Sequence, residues 1–318
     1  MRIIMASRES DWRREAENSI LLKSVSHWRE KPDRWFRGSY DRLPETVRVN
    51  PMSEEKDWVE SWLSGIGANR IPWFSGPGSA WEMPFERGSA EEEVKSLMSA
   101  LHETGRITRQ EAVSMLPVLA LDPTPGQIIL DLCASPGSKT TQICEHLGDS
   151  GAVVANEVIS GRVNTLVTNV QRHASRTVLV VQHDGRHIPR VPGSGFDGVL
   201  VDVPCTGSGT TRKNPDVWGK WRPSSGRSLH SLQYDLLTRA IELTKPGGRV
   251  VYSTCSLDPI ENEAVVARVL AGGKVRVVPR GDSLSGVPSN PGMTNWPLLN
   301  DKGELDNESK CEEYLIPT

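Results

Sequence analysis

The sequence has no apolar run approaching the roughly 20 residues that a membrane-spanning helix requires, which excludes a transmembrane helix. Its opening stretch, Met1 to Arg8, is too short in its apolar part for a secretory signal peptide. There is no Cys-x-x-Cys pair, and the five cysteines (133, 144, 205, 255 and 311) are an odd number. That usage points to a reducing compartment, the cytoplasm or nucleus. The seven histidines do not fall at ligand spacing with these cysteines, which argues against zinc or another bound metal. A basic excess is missing as well. The formal net charge is -3, which weighs against a nucleic-acid partner unless a local patch overrides the global sum. Internal repeats and low-complexity tracts are absent.

What remains is a chain of 318 residues with 37% hydrophobic and 24% charged residues, the balance of a soluble globular protein with two domains or one large one. Residues 1–120 differ from the rest. They hold helix-like stretches near 9–29, 53–64 and 89–104, one short strand at Thr46–Val49, and a turn at Gly76–Ser79. Tryptophans 12, 28, 35, 58, 62, 73 and 81 are candidates for exposure there. From about residue 121 the pattern alternates strand and helix. Strands are predicted at Ile128–Leu132, Ala152–Ala155, Val178–Val181, Gly198–Val201 and Arg249–Tyr252, with a sixth at Lys274–Val278. Helices are predicted at 138–147, 160–173, 229–244 and 260–270, and Lys245-Pro246-Gly247-Gly248 reads as a sharp stop before a strand. Such alternation predicts an α/β fold, a mostly parallel sheet covered on both faces, in residues 121–318.

The ends of those strands carry the chemistry. In an open α/β sheet the carboxyl ends of neighbouring strands face one crevice, where ligands bind. Cys205 follows one apolar strand in Asp202-Val203-Pro204-Cys205, and Cys255 follows the next in Tyr252-Ser253-Thr254-Cys255, 50 residues later. One buried cysteine is usually an inert small hydrophobe. Two thiols and a carboxylate at one sheet edge are hard to explain as packing. Cys205 has the chemistry of a nucleophile or an acid/base, and Asp202 that of a partner for the polar edge of a base. The first strand–helix turn runs Cys133-Ala134-Ser135-Pro136-Gly137-Ser138-Lys139. It lacks both the phosphate-loop spacing and Gly-x-Gly-x-x-Gly. It is either an ordinary tight connection or a cradle for a ligand with an amino-acid part, such as S-adenosylmethionine, which suits small residues better than a pyrophosphate does. Glu157 ends the second strand, where an acid accepts hydrogen bonds from ribose hydroxyls, and Asp184 follows the third, placed to hold an adenine amine. Together they favour an adenosine ligand. The loop 206–222 contains Arg212, Lys213, Lys220 and Arg222 beside Trp218 and Trp221. It is either a solvated surface loop or a site where basic and stacking groups take up an unstacked nucleotide.

Four segments resemble the Nop/Sun-type RNA (cytosine-5) methyltransferases, most of all their tRNA branch: Thr108–Pro117, Asp131–Thr141, Asp202–Trp221 and Tyr252–Val265. The resemblance extends more loosely from Leu43 to about Trp296. It implies a Rossmann-like sheet that binds S-adenosylmethionine, preceded by a smaller N-terminal α/β region that helps dock RNA. It implies that Cys255 is the nucleophile, that Cys205 helps release the product, and that Asp202 positions the cytosine; because a nucleophilic thiol needs thiolate character, a depressed pKa is expected for Cys255. The turn from Cys133 to Lys139, with Glu157, Arg162, Asp184 and Asp202, would hold the cofactor. It further implies RNA, foremost tRNA, as partner. Three readings stay open: a tRNA methyltransferase, a ribosomal RNA methyltransferase, and an RNA-binding protein without turnover. The family continues past a segment like Leu315–Thr318 into a final hairpin, whereas this chain stops there, with an acidic tail from 301 to 318 that shows no convincing strand. The expected sheet is therefore short of its final strands, and a fragment, a truncated gene and a sheet completed by a second chain are all compatible with that.

Overall fold

The computed structural model describes residues 12–148, 150–191, 193–279 and 284–306. Two sheets organise it. The smaller is antiparallel, in the order β2-β3-β1-β4, built from β1 (Pro44–Val49), β2 (Asn69–Arg70), β3 (Ser79–Glu86) and β4 (Ile107–Arg109). Helices α3 (Lys56–Gly65) and α4 (Glu92–Glu103) follow β1 and β3, after two short N-terminal helices, α1 (Ile20–Trp28) and α2 (Pro32–Gly38). Val47, Val49, Trp81 and Met83 of the sheet form one core with Val59 and Leu63 of α3 and Met98 and Leu101 of α4.

The larger sheet is wholly parallel. Its strands are β5 (Ile128–Asp131), β6 (Ala152–Asn156), β7 (Val178–Val181), β8 (Phe196–Asp202) and β9 (Thr244–Ser253), in the order β7-β6-β5-β8-β9. The helices are α5 (Leu116–Leu121), α6 (Ser138–Leu147), α7 (Ser160–His173), the short α8 (Val217–Lys220), α9 (Pro223–Leu243) and α10 (Glu263–Leu270). Strands with both faces covered read as unbroken apolar runs. Here Val199 and Val201 of β8 face Leu236, Ala240 and Leu243 of α9, while Leu200 between them faces Val118 of α5 and Ile143 and Leu147 of α6. Successive strands run outward from β5 to β7, then return to β8 on its other flank. The order therefore reverses between β5 and β8, and the crevice at that reversal is where the fold receives ligands.

Several sequence expectations are corrected. Lys274–Val278 forms no strand; it follows α10 and pairs with no strand among the described residues, and Val277 and Val278 are exposed. Among the described residues β9 is thus an edge strand. The expected helix over 9–29 is interrupted, because Ser19 caps a new helix by accepting from the Leu22 amide at 3.1 Å. Lys245–Gly248 is a bulge within β9 rather than a break before it: Thr244 pairs with Phe196 and Arg249 with Gly198. Of the seven N-terminal tryptophans only Trp58 is exposed; Trp81 is buried, and the other five are half-buried. Cys311 and the segment Leu315–Thr318 lie outside the described residues. No described helix is long and apolar enough to cross a membrane, and no described group of three or more His, Cys, Asp or Glu is placed to hold a metal.

The two sheets are joined through a buried ion pair. Arg48 of β1 donates through Nε to Glu145 Oε2 at 2.8 Å and through Nη2 to Glu145 Oε1 at 2.9 Å, on α6. It also reaches the Ser138 carbonyl and the Thr141 hydroxyl in the first turn of α6, and His173 Nε2 lies 3.2 Å from Glu145 Oε1. Burial alone would raise the Glu145 pKa; the Arg48 charge and the hydrogen bonds from Arg48 and His173 outweigh it and hold the carboxyl at about 2. A folded pKa below the ordinary 4.5 means the contribution to stability is complete above about pH 4.5 and is lost as pH falls towards 2. Arg48→Met should cost about 3–5 kcal/mol in urea unfolding, because it strands a buried carboxylate. The difference between variant and parent should shrink below pH 4.5.

Candidate active site at the carboxyl edge of the large sheet

The register of two strands sets the site. β8 and β9 pair Asp202 with Ser253, and the Ser253 hydroxyl donates to Asp202 Oδ1 at 2.7 Å. Cys205 and Cys255 leave the sheet three and two residues beyond that pair, so both thiols emerge at the same level. Their Sγ atoms lie 3.2 Å apart. Close approach of the loop after β8 is possible because Gly209 has no side chain: its amide donates to the Cys255 carbonyl at 2.9 Å, and a Cβ there would sit 2.9 Å from the same oxygen. Gly207, at φ +70°, turns the chain into that position.

The two thiols are not equivalent. The hydrogen bond from Cys205 draws the Cys255 pKa below its ordinary value, against burial and the nearby Asp202 charge, with the Lys139 ammonium assisting. The same bond, with burial, pushes Cys205 far up. The two sulfurs share one hydrogen bond, and it acts on them in opposite directions, lowering the pKa of Cys255 and raising that of Cys205. Cys255 is also the more exposed of the two. These are the attributes of a nucleophile beside a protonated partner.

At the topological reversal, Lys139 Nζ contacts Asp202 Oδ2 at 2.7 Å, linking the first turn of α6 to the end of β8. Gly137, at φ 110°, precedes α6, whose first-turn amides receive no side-chain cap. Burial raises the Asp131 pKa to about 7, against the hydrogen bond that its Oδ2 accepts from Thr140; its Oδ1 is buried without a partner. Burial likewise pushes the Cys133 thiol well above the ordinary range. The turn from Cys133 to Lys139 is fixed from the side by Arg162, whose Nη2 donates to the Ser135 carbonyl at 2.8 Å while the Ser135 hydroxyl donates to the Arg162 carbonyl at 3.1 Å. The Asn169 amide donates to the Pro136 carbonyl at 2.6 Å, and Ala134 donates its N–H to the Asn156 carbonyl.

Glu157 is buried at the end of β6. Its Oε1 accepts from the Ile159 amide at 2.9 Å, and its Oε2 is 3.4 Å from Arg162. Asp184, past β7, is engaged by Arg186 at 2.6 Å, and those hydrogen bonds, against slight burial, draw its carboxyl down to about 2. Sequence reading missed Asn156. Its Nδ2 donates to the Leu132 and His183 carbonyls, both at 3.0 Å, and its Oδ1 accepts from the His183 amide at 2.9 Å. One side chain thus ties together the loops bearing Cys133, Glu157 and Asp184; an amide at the end of a strand, just before an acid, was the available signal. Ser253 was missed for another reason: its role depends on cross-strand register.

The loop 206–222 departs from expectation. Trp218 is fully buried and Trp221 nearly so, packed with Leu21 and Val25 of α1. Phe36 meets Trp218 edge-on at 5.6 Å, and Trp28 meets Trp221 edge-on at 5.7 Å. Neither indole is free to stack on a nucleotide, because the N-terminal helices already cover them. Arg212 donates to the carbonyls of Asp41 and Arg42, and Arg222 to those of Gly219 and Trp221. Lys220 pairs with Asp216 at 2.6 Å, and Lys213 lies 3.9 Å from Glu111. The loop is held in place by its aromatic and arginine side chains, and of its basic and aromatic residues only the two lysines stay largely in solvent.

Known proteins resemble this chain over most of its length. The family model described as 16S rRNA methyltransferase RsmB/F matches residues 118–297. A multisite-specific tRNA:(cytosine-C(5))-methyltransferase of Saccharomyces cerevisiae is 43% identical over 229 residues, covering 64% of this chain and 34% of that protein. Ribosomal RNA small subunit methyltransferase F of Escherichia coli O17:K52:H18 is 40% identical over 281 residues, 86% of this chain and 56% of that protein. The chain thus spans between about a third and just over half the length of these relatives. Among solved structures, that of PH0851 superposes with a TM-score of 0.73 at 28% identity, covering 89% of this chain and 62% of that one. Alkylation of Cys255 by iodoacetamide should show a pH midpoint below the ordinary thiol value of about 8.5. Cys205→Ala should move that midpoint upward, read by mass spectrometry of the alkylated peptide.

Proposed function

The chain belongs to the family described as 16S rRNA methyltransferase RsmB/F, and from that premise we propose that it methylates carbon 5 of cytosine in RNA, with tRNA as substrate and S-adenosylmethionine as methyl donor. The observation that carries the reading is the contact of two inequivalent thiols, 3.2 Å apart, at the ligand-receiving edge of a parallel sheet. The residues at the topological reversal fit the donor. Uncapped amides of α6 suit a carboxylate, the unpartnered Asp131 oxygen adds negative potential for an amino group, and Glu157 and Asp184 suit the hydroxyls and amine of an adenosine. The turn from Cys133 to Lys139, with Glu157, Arg162, Asp184 and Asp202, would hold it. S-adenosylmethionine, when bound, supplies an electrophilic methyl on a sulfonium.

The protein's part is to make carbon 5 a nucleophile. The Cys255 thiolate adds to carbon 6 of cytosine, and the electron pair of the 5,6 double bond is displaced towards carbon 5 and the ring carbonyl. Asp202, held by Lys139 and Ser253, presents its carboxylate to the polar edge of the base. Once the Cys255 sulfur is a thioether, no negative charge stands beside Cys205, and Cys205 releases its proton to solvent water. Its thiolate takes the carbon 5 proton of the methylated adduct; the electron pair restores the double bond and expels the Cys255 thiolate. The base must leave its stack to reach the thiols, at a cost of a few kcal/mol.

RNA docking by the N-terminal region is part of this reading. Residues 12–42 hold eight Lys and Arg against five Asp and Glu, in a chain whose net charge is -3. The yeast relative's name supports tRNA, and the family description supports ribosomal RNA as the alternative. Incubation with total tRNA and, in parallel, 16S rRNA, each with labelled S-adenosylmethionine, followed by bisulfite sequencing, separates the two; no 5-methylcytosine in either RNA refutes the proposal. Cys255→Ala should abolish transfer while leaving S-adenosylmethionine affinity unchanged. Cys205→Ala should trap a covalent RNA adduct, seen as a shifted band on a denaturing gel. Arg34→Glu with Arg37→Glu, both exposed on α2, should weaken RNA binding and lower the salt slope by about 1.5, as expected for two lost phosphate contacts.

A further inference from the structure

Behind the two thiols lies a buried carboxylate that no step above uses. Glu261 is fully buried, between β9 and α10. Its Oε1 accepts from the Thr206 amide at 2.8 Å and from Gln233 Nε2 at 3.0 Å. Its Oε2 accepts from the Thr206 and Ser256 hydroxyls. Thr206 is the residue after Cys205, and Ser256 is the residue after Cys255. Gln233 also donates to the Pro204 carbonyl at 3.0 Å, so the network grips Cys205 from both sides. The Ser208 and Ser256 hydroxyls lie 3.0 Å apart, and Ser208 Oγ accepts from the Leu257 amide at 2.7 Å. Trp221 Nε1 donates to Thr206 Oγ1 at 3.0 Å, and the Tyr252 hydroxyl donates to the Glu261 carbonyl at 2.5 Å.

We infer that Glu261 is a positioning residue: its carboxylate clamps the loops that carry Cys205 and Cys255 and so fixes the contact between their sulfurs. The chemistry requires an acceptor with no donor of its own. Four donors converge on the two oxygens, which an ionised carboxylate satisfies and an amide does not. With no cation among the partners, the group is held by hydrogen bonds alone, so its four contacts are geometrically specific. Loops that leave separate strands are otherwise free to drift, and a misplacement of about 1 Å at a reacting group can cost about 100-fold in rate. The inference rests on the reading of Cys255 and Cys205 as the reacting thiols.

The test is Glu261→Gln, which keeps the shape and places an N–H₂ against at least one donor. Methyl transfer to RNA should fall about 100-fold in kcat, with KM for RNA and affinity for S-adenosylmethionine within about threefold of the parent. The alkylation midpoint of Cys255 should rise as the Cys205 contact loosens. The charges that face Cys255, Asp202 and Lys139, are unaltered by the change. In a Cys205→Ala background Glu261→Gln should cause no further rise, the non-additivity expected of residues acting through one contact. If Glu261→Gln fails to fold, Ser256→Ala, which removes the clamp on the Cys255 side, should raise the midpoint in the same way. A folded Glu261→Gln variant with unchanged midpoint and kcat overturns the clamp, as does an equal rise in the Cys205→Ala background. A parent protein that methylates no RNA overturns the proposed activity instead, while the thiol measurement still decides the role of Glu261.

Discussion

The parallel pairing of β8 with β9 is the constraint on which the site depends. It places Asp202 opposite Ser253, and everything chemically active beyond that pair follows from how few residues separate it from each cysteine. Two thiols 50 positions apart in sequence come within 3.2 Å of each other. A slip of one residue in this register would turn the side chains of β9 to the opposite face of the sheet and separate the sulfurs. The buried runs of β8, with α9 on one face and α5 and α6 on the other, make such a slip costly.

Polar groups inside this protein are placed where they join elements. Arg48 and Glu145 link the small sheet to the helix that follows the turn from Cys133 to Lys139. Asn156 joins three strand ends, and Glu261 joins the two cysteine loops. Each is costly to bury without partners, and each has several. The consequence is a rigid edge. Loops that would otherwise be the least stable part of an α/β fold are held by side chains anchored in the core.

The aromatic residues show why exposure was the hardest property to read. Trp218 and Trp221 lie in a loop rich in basic and small residues, and composition alone favours solvent. They are buried because α1 and α2, almost 200 residues earlier in the chain, supply Leu21, Val25, Trp28 and Phe36 as their cover. Likewise the three strands that complete the small sheet escaped notice. β2 and β4 are two and three residues long, too short to show a period, and in β3 the alternation of Trp81, Met83 and Phe85 with Glu82, Pro84 and Glu86 is offset by a proline that counts against a strand. The Lys274–Val278 run erred in the other direction: its alternation of valine with basic residues has the period of a strand, but a strand exists only where a neighbour pairs with it.

The sequence by itself determined the parallel sheet, its α/β alternation, the turn from Cys133 to Lys139 and the strand-end positions of Glu157, Asp202, Cys205 and Cys255. Those features rest on local pattern: apolar runs, glycine and proline punctuation, and motifs within a dozen residues. Only the tertiary structure decided that the two thiols touch, that Lys139 rests on Asp202, and that the tryptophans of the loop face inward. Those properties depend on distances between segments far apart in the chain, and on which groups water is excluded from, neither of which a linear pattern contains.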